Sequence, residues 1–428
     1  MGSEVHQESG LVPVVIDLEV CNACGVCLSA CPEPYGLSTD GYELEDPKLL
    51  FGERERASAP TPAIPPVEIP LPASEPRVMK GNHAAAVGAL LAGCRHVFGY
   101  PITPSTEGAE LLAAVLPKLD GVFLQAVSEV ATVNHMYGCG GAGLPCMTFT
   151  SSPGFSLMLE GISYMIGAEV PAVFVDVMRG GPGLGNIGPE QGDIKLVCRG
   201  LGHGNTHAVV LAPATPQEML DLTMDAFRIA FEYRNPVVVV ADGYLGQMTG
   251  KVRLPERMIR PGLPEWAVWG DAGHRHNLIN SIYLAETELE EHNLRLEAKY
   301  ERMAAREQRA NLFRADDARI LVVACNTPAR MAKGAVETLR REGFAVGLFH
   351  PVTLWPFPIR QLDVLLQRVT DLVIVEASAG QLEDEVRLAL SRSSARMPRL
   401  HSVRRMGGVL PQVREIADAV RRLPEVRP

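Results

Sequence analysis

From about residue 80 onward, short apolar runs alternate with longer stretches of helical periodicity. The apolar runs predict strands at His96–Tyr100, Val122–Ala126, Cys146–Thr150, Ala172–Val177, Ala208–Leu211 and Pro236–Ala241. Helical patterns lie between most of them. Alternation of this kind predicts a parallel sheet with helices on both faces. A second unit starts at Ala318, with strands at Ile320–Ala324, Ala345–His350 and Leu372–Glu376 and helices over 328–341, 358–368 and 380–391. Residues 256–315 break the rhythm. Within them Asn277–Ala310 reads as one long charged helix, with Ile282, Leu289, Leu296 and Met303 spaced by seven. The companion positions are Ala285, His292 and Lys299, so the pattern predicts a half-buried connecting helix and not a coiled coil.

The other end of the chain has a different texture. Residues 57–76 contain seven prolines, which predicts an extended, semi-rigid spacer. Ahead of it stand Cys21, Cys24, Cys27 and Cys31, the last followed by Pro32. Thiolates at this spacing suit one corner of an iron–sulfur cubane, and the trailing proline matches the bacterial ferredoxin run. Zinc is the alternative ligand. In two-cluster ferredoxins the fourth cysteine serves the other cluster. Cys31 therefore either closes a single 4Fe-4S cluster or serves one shared with a partner. The chain divides into a cysteine module (1–56), a Pro-rich linker (57–78), an α/β domain (79–255), a connecting segment (256–315) and a second α/β domain (316–428).

Composition narrows the class. At 428 residues and 46% apolar, the chain can build two or three domains with large cores. A net charge of −10 argues against nonspecific nucleic-acid binding. No apolar run is long enough for a membrane span. Cys94, Cys139, Cys146, Cys198 and Cys325 stand singly among apolar residues, as free buried thiols do. With an iron–sulfur site, they point to a reducing cytoplasm.

In an open parallel sheet, ligands bind at the carboxyl ends of the strands. Four such loops are unusual. In the first, after Tyr100, Pro101-Ile102-Thr103-Pro104 offers Thr103 as a helix cap and Pro104 as the first helical residue, making an anion site. In the second, Glu129 falls in a first helical turn, either as a dipole partner or as an acid held against a ligand nitrogen. The third, Thr150-Ser151-Ser152-Pro153-Gly154, either lines a polar pocket or makes a turn. The fourth runs from Arg179 to Gln191. It carries Gly183, Gly185 and Gly188 in dinucleotide-fingerprint spacing, but Pro182 and Pro189 interrupt the required geometry. Those glycines suit a loop folding closely over a ligand, and the planar fork of Arg179 suits a carboxylate. His203 and His207 are four apart among glycines, a poor setting for a metal site.

Together these segments resemble the α chain of the thiamine diphosphate-dependent 2-oxoacid:ferredoxin oxidoreductases. The resemblance covers roughly residues 79–428. It is carried by GYPITPST (99–106), SEVATVNHMYG (128–138), TSSPG (150–154), MRGGPGLGNIGPEQGD (178–193), DGYLGQM (242–248), HPVTLWPFP (350–358) and VEASAGQLEDEV (375–386). The glycine loop is closest in form to the branched-chain, 2-oxoisovalerate group.

The resemblance implies a transketolase-like pyrimidine-binding domain and a transketolase C-terminal-like domain; the ferredoxin-like iron–sulfur extension departs from the commonest α-chain pattern, in which clusters lie on other chains. It implies that Glu129 hydrogen-bonds the cofactor's aminopyrimidine, with Pro101, Ile102 and Ser152 also touching the cofactor. Thr103 and Arg179 would meet the substrate carboxylate, and Asn186 would join them. The implied reaction is CoA-acylating oxidative decarboxylation of a branched-chain or aromatic 2-oxoacid. A 2-oxoglutarate or pyruvate enzyme is the alternative, as is a non-catalytic electron-transfer or scaffold subunit. The diphosphate and its Mg²⁺ need a Gly-Asp-Gly segment, which Asp242-Gly243-Tyr244 does not supply. A β subunit is therefore implied to share the cofactor. Further implied partners are a γ subunit and a ferredoxin-like subunit, and the extra cysteine motif adds the expectation of a relay toward a flavoprotein that reduces NAD.

Overall fold

The computed structural model of the chain describes residues 63–274 and 276–423, so the Cys21–Cys31 run lies outside the described residues. Two α/β layers are built on parallel sheets. In chain order the strands of the first are β3 (His96–Gly99), β4 (Val122–Gln125), β5 (Cys146–Thr150), β6 (Ala172–Met178), β7 (Val209–Leu211) and β8 (Pro236–Asp242). They lie in the order β7-β8-β6-β5-β3-β4, all parallel. β6 and β8 are buried at every residue. A continuous β-branched apolar run is what a strand covered on both faces requires.

The second sheet contains β11 (Ala310–Phe313), β12 (Ile320–Val323), β13 (Val346–Pro351), β15 (Asp371–Glu376) and β16 (Arg399–Arg404), in the order β11-β13-β12-β15-β16. Only β11 runs antiparallel. β14 (Thr353–Trp355) leaves this unit and adds antiparallel to β7, at the edge of the first sheet. Nearby, His207 stacks on Trp355 at 4.6 Å between ring centroids, with Tyr300 edge-on at 5.0 Å. That aromatic packing is the setting of His207.

Three sequence expectations are corrected. The described part of the Pro-rich segment is not a free spacer. β1 (Val67–Pro70) pairs antiparallel with β10 (Arg257–Arg260), and β2 (Arg77–Lys80) with β9 (Thr249–Val252). Two-stranded ribbons tolerate proline because their outer edge needs no N–H. The long helix is shorter than expected, Glu286–Arg306. The side chains of Asn277 and Asn280 bond to nearby backbone ahead of it, which offers the chain an alternative to helix. Its buried face holds Leu296, Tyr300 and Met303, while Ile282 lies outside the helix and is exposed.

The third correction concerns Thr103. The helix after β3 spans Thr106–Val115, with Ser105 ahead of it, so Thr103 is not its cap. Pro104 precedes the helix and does not open it. Ser105 closes a tight turn instead, with its N–H and hydroxyl both donating to the Ile102 carbonyl.

A buried seam joins the two units through residues that end or follow strands. Asp242, the last residue of β8, accepts the backbone N–H groups of Tyr244 and Leu245 and both the N–H and hydroxyl of Thr327. Asn326 donates to the carbonyls of Pro213 and Val240. Gln191 donates to the Cys325 carbonyl and Asn326 Oδ1, and its own oxygen accepts the Ala377 N–H. The carboxyl ends of β12 and β15 thus face those of β6 and β8. Among the described residues, no helix is long and apolar enough to cross a membrane.

Candidate functional site

β3 has β4 on one side and β5 on the other, so the chain reverses direction across the sheet at β3 and β5. That is the switch point where a crevice opens at the strand ends. The loop 100–105 comes from β3, Glu129 from the segment after β4, residues 151–154 from β5 and the glycine loop from β6. Asn82, buried below, donates to the Pro104 carbonyl at 2.8 Å and fixes the first loop.

Glu129 opens the helix Glu129–Gly141, whose cap is Ser128, with Oγ accepting the Ala131 N–H. Glu129 as a whole is only 6% exposed. Beside it, the Oγ atoms of Thr150 and Ser151 are buried without a hydrogen-bond partner. Gly154 makes room for this arrangement. A Cβ there would sit 2.4 Å from Thr150 Oγ1 and 2.7 Å from Glu129 Oε1. The crevice floor therefore presents an acid and two hydroxyls whose bonding capacity the described protein does not use. Orphaned polar atoms of this kind mark a place where a polar ligand fits.

Arg179 stands at the end of β6. Its Nη1 donates to the Thr103 carbonyl at 3.0 Å and its Nη2 to the Leu184 carbonyl at 3.2 Å, while Nε is unpartnered. The guanidinium thus bridges the first loop and the glycine loop. Ser152 accepts the Arg179 backbone N–H at 3.0 Å and donates to Asp193.

The glycine loop is folded on itself, not into a helix. At Gly185, where φ is +51°, a Cβ would lie 1.7 Å from the Gly180 carbonyl. Glu190 accepts the Gly181 N–H at 2.9 Å. Asn186 is spent within the fold. Its Oδ1 accepts the Gly188 N–H and its Nδ2 donates to the Gly407 carbonyl in the second unit.

Between the two units lies a cleft of about 520 Å³. Ser152, Arg179, Glu190 and Asp193 line it from the first unit, and Gln381 and Met406 from the second. A larger apolar groove, about 840 Å³, lies between the β1–β10 ribbon and the helix Pro216–Tyr233. None of the strand-end loops lines that groove, so the smaller cleft is the candidate site. Tyr100, Leu184, Ile187 and Tyr244, all in segments that follow strands of the first sheet, are exposed apolar side chains.

Ser152 and Arg179 line the cleft, and Arg179 holds the Thr103 carbonyl in the loop that also carries Pro101 and Ile102, while Glu129 stands next to Gly154 outside the cleft lining and Asn186 lies in the glycine loop. Sequence reasoning missed Asp176, Asp193, Glu190 and Gln191. Of these, only Asp176 carried a signal, as a lone charge inside the otherwise apolar run Ala172–Met178.

Residues 87–311 match the family model described as pyruvate flavodoxin/ferredoxin oxidoreductase, thiamine diP-binding. Residues 318–416 match pyruvate:ferredoxin oxidoreductase core domain II. The ketoisovalerate oxidoreductase subunit VorB of Methanothermobacter thermautotrophicus is 47% identical, over 81% of this chain and 97% of the relative. The 2-oxoglutarate synthase subunit KorA of Methanocaldococcus jannaschii is 35% identical, over 80% and 98%. A solved 2-oxoglutarate:ferredoxin oxidoreductase from Magnetococcus marinus, with 2-oxoglutarate, coenzyme A and succinyl-CoA bound, has a TM-score of 0.73 at 24% identity. That match covers 81% of this chain and 65% of the solved one, and it speaks to the fold.

Proposed function

We propose, for a chain that belongs to the thiamine diphosphate-binding pyruvate flavodoxin/ferredoxin oxidoreductase family, that it is the α subunit of a CoA-acylating oxidoreductase for branched-chain or aromatic 2-oxoacids. The carrying observation is Glu129, a nearly buried acid in a switch-point crevice beside two hydroxyls with unused bonding capacity.

The crevice fits the cofactor's aminopyrimidine. Glu129 would accept a hydrogen bond from a ring N–H, Ser152 would stand beside it, and Pro101 and Ile102 would form an apolar wall. Thiamine diphosphate, when bound, supplies the nucleophilic carbon and the electron sink for loss of CO₂. Arg179 would take the substrate carboxylate, with Thr103 next to it. Asn186 would hold the glycine loop in place over the substrate. A Mg²⁺ site is not supplied by Asp242, whose oxygens already accept four donors. A β subunit bringing the diphosphate site accounts for this. The exposed Tyr100, Leu184, Ile187 and Tyr244 would then be its contact rim.

Arg179 is the only basic residue among those lining the cleft, where Glu190 and Asp193 also stand. One cation with two acids nearby serves a single carboxylate and disfavours a second, distal one. That supports a branched-chain or aromatic side chain over 2-oxoglutarate, in line with the higher identity to the VorB relative. Electrons would leave through a cluster on Cys21, Cys24, Cys27 and Cys31 toward ferredoxin, or through a flavoprotein partner to NAD, in the cytoplasm. The test is anaerobic viologen reduction by the natively purified complex with coenzyme A. Turnover on 2-oxoisovalerate or phenylglyoxylate is expected. Turnover on 2-oxoglutarate alone would reject the substrate reading.

A further inference from the structure

Behind Arg179, Asp176 has no part in the roles assigned above, and Asp193 enters them only as an acid in the cleft lining. Asp176, on β6, is fully buried. Asp193 precedes the short helix Ile194–Arg199. Neither Asp176 oxygen receives a complete hydrogen bond from a donor, and what it faces is the Asp193 carboxyl and the backbone N–H of Ser152. The cation acting on Asp193 is Arg179, whose Nη atoms are already turned to the Thr103 and Leu184 carbonyls. Two ionised carboxylates in contact, one fully buried and the other half-buried at the cleft, without a cation between them, repel too strongly for both to stay charged. One proton therefore belongs to the pair.

The pair is connected to the site. The Ser152 hydroxyl donates to Asp193 Oδ2, and the Ser152 oxygen accepts the backbone N–H of Arg179 at 3.0 Å. We propose that Asp176 and Asp193 form a one-proton carboxyl pair that positions Arg179 through Ser152, a role resting on the reading of Arg179 as the carboxylate-binding residue.

Burial is the first cause pushing each carboxyl above the usual range. For Asp176 the second is repulsion from Asp193, and for Asp193 the charge of Glu190 acts in the same direction. Several groups face the pair or flank it. Ser152 comes from the helix after β5, Arg179 and Glu190 from the glycine loop, and Glu129 stands across Gly154. When the shared proton leaves as pH rises, the two carboxylates separate, Ser152 loses its fixed acceptor, and the guanidinium leaves its register. KM for the 2-oxoacid then rises, while kcat changes less.

The test uses the native complex and the Asp176→Asn variant, whose amide gives Asp193 a permanent N–H donor. Two readouts are taken. In the infrared, wild type at neutral pH should show a protonated-carboxyl C=O band that is missing in Asp176→Asn. This needs no turnover, so it judges the pair even if the reading of Arg179 fails. In kinetics, the alkaline rise in KM should flatten in the variant. Identical infrared bands would overturn the shared proton. Superimposable KM–pH profiles would overturn the positioning role. Asp193→Asn carries the same two expectations if Asp176→Asn does not fold.

Discussion

Arg179 Nη1 donates a 3.0 Å hydrogen bond to the backbone carbonyl of Thr103, so the cation that follows β6 is held by the loop that follows β3. A second nitrogen of the same fork holds the glycine loop at Leu184. One planar group thus fixes two loops and still keeps Nε unspent. Lysine has a single ammonium and cannot reproduce that geometry. Arg179→Lys should raise KM for the 2-oxoacid roughly 10- to 100-fold, a loss of about 1.4–2.7 kcal/mol in kcat/KM, with cofactor binding retained. Steady-state viologen reduction over a range of substrate concentrations measures it. An unchanged KM would remove Arg179 from the substrate.

Glu129 and Gly154 make a linked pair. Glu129→Gln keeps the size of the side chain and removes its charge. If Glu129 handles a cofactor proton, kcat should fall by about 10²- to 10⁴-fold. Gly154→Ala acts through space alone, because its Cβ would press on Thr150 Oγ1 and Glu129 Oε1. It should weaken cofactor binding while leaving the fold intact. Cofactor titration by fluorescence quenching separates the two variants.

Much of this arrangement was legible before any coordinates. The β6 and β8 runs are apolar at nearly every position because both of their faces are covered, and that signal survives without context. The ribbons were not legible. β1 is Val67-Glu68-Ile69-Pro70, exposed at three of its four residues, and only its pairing to β10 makes it a strand. β14 has three residues and belongs to the other unit's sheet, a relation no local pattern carries. Thr103 misled because a hydroxyl before proline is a sound cap pattern, as Thr215 before Pro216 shows, while here the turn closed by Ser105 delays the helix to Thr106. Asp176 and Asp193 are far apart in sequence, so their contact is a product of topology.

The seam offers a stability test. Asp242 is fully buried and accepts four donors, two of them from Thr327 across the units. Replacing it with Asn would turn one acceptor oxygen into a donor and leave buried N–H groups unmatched. Asp242→Asn should cost about 2–4 kcal/mol. Thr327→Val should cost about 1–2 kcal/mol. The two losses should be less than additive in a double variant, since they remove the same bond. Thermal unfolding of the four proteins reads the coupling, and strict additivity would deny it.

Stability should respond to acid and base through different residues. Burial alone would raise the carboxyl of Asp371, but Arg399, the Thr370 hydroxyl and His401 outweigh it and hold the pKa at about 2. Glu383 is likewise held at about 2, against burial, by Ser402, Arg404 and Arg387. A carboxyl whose folded pKa lies below its unfolded one, about 3.9–4.3, stabilises fully above that range and loses the contribution as pH falls toward 2. Both residues belong to the second unit, so acid should open that unit first. Lys299 works in the opposite direction. Burial lowers its pKa to about 8, despite Glu169 at 3.2 Å. Between about 8 and about 10.4 the unfolded chain holds a proton that the folded one has released, so this group makes stability rise with pH. Lys299→Met should abolish that rise and leave the acid transition untouched. Asp371→Asn should flatten the acid slope and leave the alkaline one. Denaturant unfolding at a series of pH values distinguishes the two, and an alkaline slope unchanged by Lys299→Met would show that the lysine is not its source.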